Sequence, residues 1–355
     1  VNKKEDIQML AIAKTRPGKG LQLVEREPLP VSANEVLVKV KACGICGSDV
    51  NIYLWNEAMA TSLTPHLPVV IGHELAGEVV KTGEHAHGFH VGDRVMIEPF
   101  ISCGRCYYCV QGRSNLCEKR EILCKHRPGG MAEYITAPEQ CLFRLPDNLS
   151  YAEGALMETL GVAVHGLERM PVMAGNSVAI MGPGPIGLFL MQVLKAAGAS
   201  PLVVIGTSRS PKRLEIARSL KADATLVADM DDIGARVREM TGGLGVDQVF
   251  ETAGTGTGLR QAFDIVRKGG EICSLGATDD PLVIKPFHTM RSKEINLINA
   301  SGRTASTWRR ATSLVATGKV DLSKIIDRKV PLKDAIAAFE LLVRDRNVMK
   351  VVLEP

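Results

Sequence analysis

The hexapeptide Gly182-Pro183-Gly184-Pro185-Ile186-Gly187 has the spacing G-x-G-x-x-G, and it sits where a short apolar run gives way to a helix-type segment. The first glycine of such a motif permits a tight turn. The second lets the backbone approach a pyrophosphate, and the third allows a helix to pack closely on a sheet. The N-terminus of the following helix then faces the phosphate charge. Taken alone, the motif also suits a glycine-rich structural turn. Its setting favours a dinucleotide site, because it opens a regular alternation. Residues 177–181 read as a strand, 185–197 as a helix and 201–206 as a second strand. Helix-type 211–220 follows, then 225–227, 231–240, 247–252 and a helix over 258–267, with 270–276 and 294–300 closing the series. Six strands linked by helices predict an α/β fold with a parallel, doubly wound sheet.

The end of the second strand bears on which dinucleotide binds. An NAD site normally places Asp or Glu about 20 residues beyond the glycines, to bind the ribose 2′-hydroxyl. Here the chain reads Val204-Ile205-Gly206-Thr207-Ser208-Arg209, with Lys212 and Arg213 beyond, and no acid stands at the strand end. Ser208 with Arg209 and Arg213 can hydrogen-bond and neutralise a 2′-phosphate. The expectation is NADP(H) in preference to NAD(H), with NAD(H) still possible. A solvated basic start to the next helix is the plainer alternative.

At 355 residues the chain exceeds the usual size of one domain, so two are expected. Its first third reads as strands and loops. Met9–Lys14 and 21–26 flank a turn at 16–20, and 35–42 alternates like a half-buried strand. Beyond Gly302 the pattern is helical (307–317, 332–343), then a short strand 350–353. A net charge of +4 is too small and too dispersed for a nucleic-acid surface. The uncharged stretch 171–194 is interrupted by Pro183, Pro185 and four glycines, which argues against a membrane span. The opening Val1-Asn2-Lys3-Lys4-Glu5-Asp6 has no apolar core of a signal peptide. A cytoplasmic location is expected, where disulfides are rare.

The nine cysteines therefore need another explanation. Cys103, Cys106, Cys109 and Cys117 follow C-x2-C-x2-C-x7-C. Four thiolates so close suit a tetrahedral Zn²⁺ that closes its coordination sphere and folds a loop around itself. A redox or iron–sulfur site is the alternative. With no open position, such a zinc is structural. A different set lies elsewhere: Cys46 in Gly44-Ile45-Cys46-Gly47-Ser48-Asp49, His73 and Glu74 in Gly72-His73-Glu74, and Glu158 in Met157-Glu158-Thr159. A thiolate, an imidazole and a carboxylate leave zinc a free position for water or an alcohol, whose pKa the metal lowers. Asp49 is a candidate to fix the tautomer of His73. Cys43 and Cys46 could instead form a redox C-x2-C pair.

Together these residues resemble the zinc-dependent medium-chain alcohol dehydrogenases over essentially the whole chain, most closely the polyol (sorbitol) and L-threonine dehydrogenase subgroup. Ile52-Tyr53-Leu54-Trp55-Asn56-Glu57, Gly302-Arg303 and Thr307-Trp308 look like threonine dehydrogenase, whereas Glu98-Pro99 and the stretch around Glu158 look like polyol dehydrogenases. Ser208-Arg209-Ser210-Pro211 is similar to the NADP-using ketose reductases. The resemblance implies a GroES-like β-rich catalytic domain over 1–160 and 301–355, with a structural zinc lobe at about 98–120, and a Rossmann domain over 161–300. It implies Cys46, His73 and either Glu74 or Glu158 at the catalytic zinc, and Ser48 as the hydroxyl that meets the substrate alcohol and starts the proton relay. Lys350 falls where the family often has a cation near the cofactor phosphates. Relatives form dimers or tetramers through the last Rossmann strand.

Two departures stand out. Five residues beyond Cys46, where many relatives have a relay histidine, this chain has Asn51. The Gly-His that precedes the structural cysteines in threonine dehydrogenases is Pro99-Phe100 here. The expected activity is a reversible hydride transfer between a small secondary alcohol, such as a polyol, sugar alcohol or threonine-like compound, and NAD(P), with two zinc ions per chain. The alternatives are L-threonine 3-dehydrogenase proper, a non-catalytic nucleotide-binding relative, and a zinc lyase or hydrolase.

Overall fold

The computed structural model describes residues 8–277, 283 and 287–355. The opening hexapeptide Val1–Asp6, with its reading on a signal peptide, lies outside the described residues. The chain divides into two compact units: one runs through Glu158 and takes in Ile326–Pro355, and the other is Thr159–Ile325.

In the first unit, the strand Glu35–Gly44 is the hub. Glu74–Thr82 pairs antiparallel along one edge, while Tyr134–Pro138 and the C-terminal strand Lys350–Glu354 pair along the other. Arg94–Ile97, Leu142–Arg144 and Ile326–Pro331 extend this seven-stranded sheet. The expected half-buried alternation at 35–42 is not observed: of the ten residues only Lys39 is exposed and only Lys41 intermediate. A central strand paired on both edges, with apolar layers on both faces, leaves no wet side. Val36, Val38 and Val40 join Ile71, Leu75 and Val351 in the unit's main core. A separate three-stranded sheet contains the anticipated hairpin, with Met9–Lys14 paired to Gln22–Arg26.

The second unit carries the expected parallel sheet of six strands. From one edge they run Ala224–Val227, Leu202–Gly206, Val178–Met181, Val246–Glu251, Val266–Ser274 and Asn296–Asn299. The strand order reverses between Val178–Met181 and Val246–Glu251, which pair in parallel register. In open α/β sheets a ligand binds beyond the C-terminal strand ends at such a switch point. The uncharged stretch 171–194 is spent on the strand Val178–Met181 and the start of the helix Pro185–Ala196. Among the described residues, no helix is long and apolar enough to cross a membrane.

Contacts place 301–325 with this sheet rather than with the first unit, to which the sequence reading gave them. The helix Ala305–Ala316 explains the difference. It buries Thr307, Trp308, Ala311 and Val315, and the Thr307 hydroxyl donates to Glu168 Oε2 at 2.6 Å. Arg310 also pairs with Glu168. The backbone N–H of Asp321 donates to Gln192 Oε1 at 2.8 Å, and Gln192 Nε2 returns a bond to the Asp321 carbonyl.

Candidate metal centre and nucleotide loop

Sheet register assembles the candidate metal centre. Gly44 lies opposite Glu74 across one pair of strands and opposite Val352 across another. Cys46 therefore follows the end of one strand, His73 precedes the start of its neighbour, and Lys350 begins a third. A Cβ on Gly44 would lie 2.4 Å from Glu74 Oε2, so only glycine lets that carboxylate lie over the strand. Ligand atoms of Cys46, His73 and Glu74 all lie within 4.8 Å of one another. That spacing matches ligand pairs around one Zn²⁺ with bonds of about 2.0–2.3 Å.

Cys46 occupies the N-cap of the helix Gly47–Leu54. Its backbone N–H donates to Asp49 Oδ2 at 2.9 Å, which fixes the turn. Asp49 is fully buried, and its other oxygen, which has no hydrogen-bond partner, lies 3.4 Å from His73 Nδ1. A buried carboxylate so placed favours Nδ1–H and leaves the opposite ring nitrogen for a metal. Burial works against a charged His73, yet Asp49 and Cys46 outweigh it and hold the imidazole pKa well above its ordinary value. Cys124 Sγ lies 3.8 Å from the same Nδ1. Nothing in the sequence points to this contact, because Cys124 stands 51 residues from His73 and outside both cysteine motifs. Ser48 stands in the first turn of the same helix, two residues beyond Cys46, while Asn51 is exposed.

Lys350 corrects an expectation. It is not a cation free to meet cofactor phosphates. The residue is 2% exposed, and its ammonium donates to both oxygens of Glu74, at 2.7 and 2.8 Å, and to the Ile45 carbonyl at 3.2 Å. Burial disfavours the charged amine, but Glu74, Cys46 and Glu158 more than compensate and raise its pKa. Glu158, buried at 8% exposure at the start of the helix Met157–Arg169, does not join the three residues that share the 4.8 Å radius.

The four cysteines of the lobe also converge. Cys103, Cys106, Cys109 and Cys117 bring their sulfurs within 4.8 Å of one another. Cys103 N–H donates to Cys117 Sγ at 3.3 Å, and backbone N–H groups of Cys109 and Glu118 pull the Cys106 thiol down to about 6. N–H groups aimed at sulfur favour thiolate, the form a metal needs. All nine cysteines are free thiols, and Cys43, Cys141 and Cys273 are buried.

In the second unit, Gly182 follows the strand Val178–Met181 at φ 109°, and a Cβ there would lie 2.8 Å from the Ala253 backbone nitrogen. Gly187 is tighter still, 2.0 Å from the Gly182 carbonyl. Gly184 differs: a Cβ there would meet nothing within 4 Å. Gly184 caps the twelve-residue helix Pro185–Ala196 with no side-chain hydrogen bond, and Pro185 occupies the first turn next to Ile186. Open space before an uncapped helix N-terminus suits a pyrophosphate. Ser208 and Arg209 are exposed just beyond Leu202–Gly206, and Arg213 is partly buried in the helix Pro211–Ser219. The sequence reading found no acid at this strand end, yet the fold supplies one from the next strand. Asp229 accepts the Ser208 N–H at 2.8 Å and the Ser208 hydroxyl at 2.5 Å.

Two family models match the chain: the alcohol dehydrogenase GroES-like domain over residues 32–147 and the zinc-binding dehydrogenase model over 185–317. The L-threonine 3-dehydrogenase of Bacillus velezensis is 35% identical over 98% of this chain and 99% of its own length. The sorbitol dehydrogenase of Halalkalibacterium halodurans is 32% identical, again over 98% of this chain and 99% of its own. A zinc-binding dehydrogenase of Sinorhizobium meliloti, solved with NADP, superposes with a TM-score of 0.88 at 30% identity, covering 98% of this chain and all of the other.

Proposed function

Because this chain belongs to the zinc-binding, GroES-like alcohol dehydrogenase family, we propose that Cys46, His73 and Glu74 hold its catalytic zinc for oxidation of a secondary alcohol. Its activity class is that of zinc-dependent oxidoreductases acting on CH–OH donors, and its substrates are small molecules. The convergence of the three ligand atoms within 4.8 Å carries the assignment. The four-cysteine lobe holds a second, structural zinc, giving two per chain.

When bound, zinc supplies Lewis acidity towards the substrate hydroxyl, and the nicotinamide ring supplies the hydride acceptor. The residues of the chain do the rest. The Asp49 carboxylate, 3.4 Å from His73 Nδ1, favours a proton on that nitrogen and so keeps the opposite ring nitrogen for the ligand role. Lys350 offsets the charge of Glu74, so the ligand set carries less negative charge and leaves the metal a stronger acid. Ser48 takes the hydroxyl proton and passes it on. Asn51 cannot titrate, so the proton leaves through water. Gly182 and Gly187 allow the tight turn and the close packing of the helix, and Gly184 leaves the open space where the cofactor pyrophosphate meets the helix N-terminus. Ser208, Arg209 and Arg213 receive the adenosine end, with NADP(H) favoured and NAD(H) usable.

The substrate is a polyol, sugar alcohol or threonine-like compound. A panel of polyols, diols, amino alcohols and L-threonine, run with both cofactors and followed at the nicotinamide absorbance band, tests this reading. Turnover of a vicinal diol or polyol is expected. L-Threonine as the sole substrate would instead establish threonine dehydrogenation, and no absorbance change with any alcohol would refute the dehydrogenase mechanism.

A further inference from the structure

We propose that Asp229 sets the cofactor selectivity of this chain, by occupying the two donors of Ser208 that a ribose 2′-phosphate needs. The inference rests on the nicotinamide-cofactor reading above and adds a determinant to it.

Leu202–Gly206 and Ala224–Val227 are parallel neighbours, with Gly206 opposite Val227. Two residues past each partner stand Ser208 and Asp229, so the register alone brings them together. The contact uses everything Ser208 can donate. Its N–H goes to one carboxylate oxygen of Asp229 and its Oγ–H to the other. These Ser208 hydrogen bonds, with Arg209 adding a smaller electrostatic pull, lower the Asp229 pKa. The carboxylate is exposed and ionised at neutral pH, and it faces the same serine that would anchor a 2′-phosphate.

An incoming 2′-phosphate carries close to two negative charges. It must either displace the carboxylate from Ser208 or bind beside it, and in both cases Arg209 is shared between two anions. A 2′-hydroxyl meets no such conflict: it is neutral and can donate to a carboxylate oxygen. Asp229 thus does from the third strand what an acid at the end of the second strand does in NAD sites, while Arg209 favours the phosphate. The two side chains act in opposition, and their balance fixes how far NADP(H) is preferred.

The test is direct titration of NADPH and NADH, by quenching of protein fluorescence or by calorimetry, on wild type, Asp229→Asn and Asp229→Glu. Asparagine keeps the size of the side chain and an acceptor oxygen but removes the charge. Its affinity ratio of NADPH to NADH is expected to rise about tenfold, as removal of one charge at contact range from a dianion in a wet site implies. NADH affinity should change by no more than about threefold. Asp229→Glu keeps the charge and should stay within about threefold of the wild-type ratio. A ratio unchanged in Asp229→Asn, or an equal loss of both cofactors, overturns the inference. Wild type that binds neither cofactor would instead bring down the underlying functional reading. Calorimetry with adenosine 2′,5′-bisphosphate against 5′-AMP isolates the phosphate: Asp229→Asn should tighten the first and leave the second unchanged.

Discussion

Glu74 and Lys350 lie 276 residues apart and meet as a buried ion pair beside Cys46 and His73. Burying two charges is costly, and breaking such a pair by removing one partner typically costs about 3–5 kcal/mol because the other is left uncompensated. Lys350→Met should therefore lower stability by about that amount in urea unfolding. Lys350→Met combined with Glu74→Gln should recover a large part of the loss; failure to recover would mean that the methionine, not the lost charge, is at fault. The residue scale is also where the sequence is most and least legible. The four lobe cysteines can be read directly, because their spacing is local, whereas Cys46 and His73 gain meaning only in combination with the dinucleotide motif and the family resemblance. The partner of Lys350, the need for glycine at 44 and the acid at Ser208 cannot be read from the sequence. Each depends on which strands pair, and in what register, and that pairing is a property of the sheet as a whole.

Elements were legible wherever their periodicity was local. The alternation after Gly182 delivers most of its strands and helices within two residues of their expected bounds, except that the strand expected at 270–276 starts four residues earlier, as Val266–Ser274. The helix Ala305–Ala316 was recognised as a helix but assigned to the wrong unit, since nothing in its own residues says what covers Trp308. Glu168 decides it, and does so in a pH-dependent way. Burial opposes its charge, but hydrogen bonds from His165, Thr307 and Arg310 prevail and lower its pKa. A depressed carboxyl pKa stabilises the fold above the ordinary carboxyl pKa, near 4.3, and that stabilisation is lost as pH falls through the lower folded value. Glu168→Gln should lose about 2 kcal/mol at neutral pH. Measured by thermal unfolding from pH 7 to pH 3, wild type should fall towards the variant on acidification. A constant gap across that range would show that charge at Glu168 does not hold the helix.

At the scale of the whole molecule, the metal ligands come from one unit and the nucleotide loop from the other. Each unit has its own core, one built around Glu35–Gly44 and the other around a six-stranded parallel sheet. The parallel sheet was legible in advance because its βα repetition leaves few topologies open. The GroES-like β-rich unit follows from the family resemblance rather than from periodicity, because its pairings join segments as distant as residues 44 and 352. The central claim is that alcohol chemistry depends on a metal held by Cys46. The most direct test is the rate of nicotinamide reduction by Cys46→Ser against wild type, on the best alcohol of the panel. Loss of the ligand that places the metal should lower turnover by at least about a hundredfold, the scale on which a single electrostatic stabiliser of a developing anion acts. Turnover within a few-fold of wild type would contradict the account.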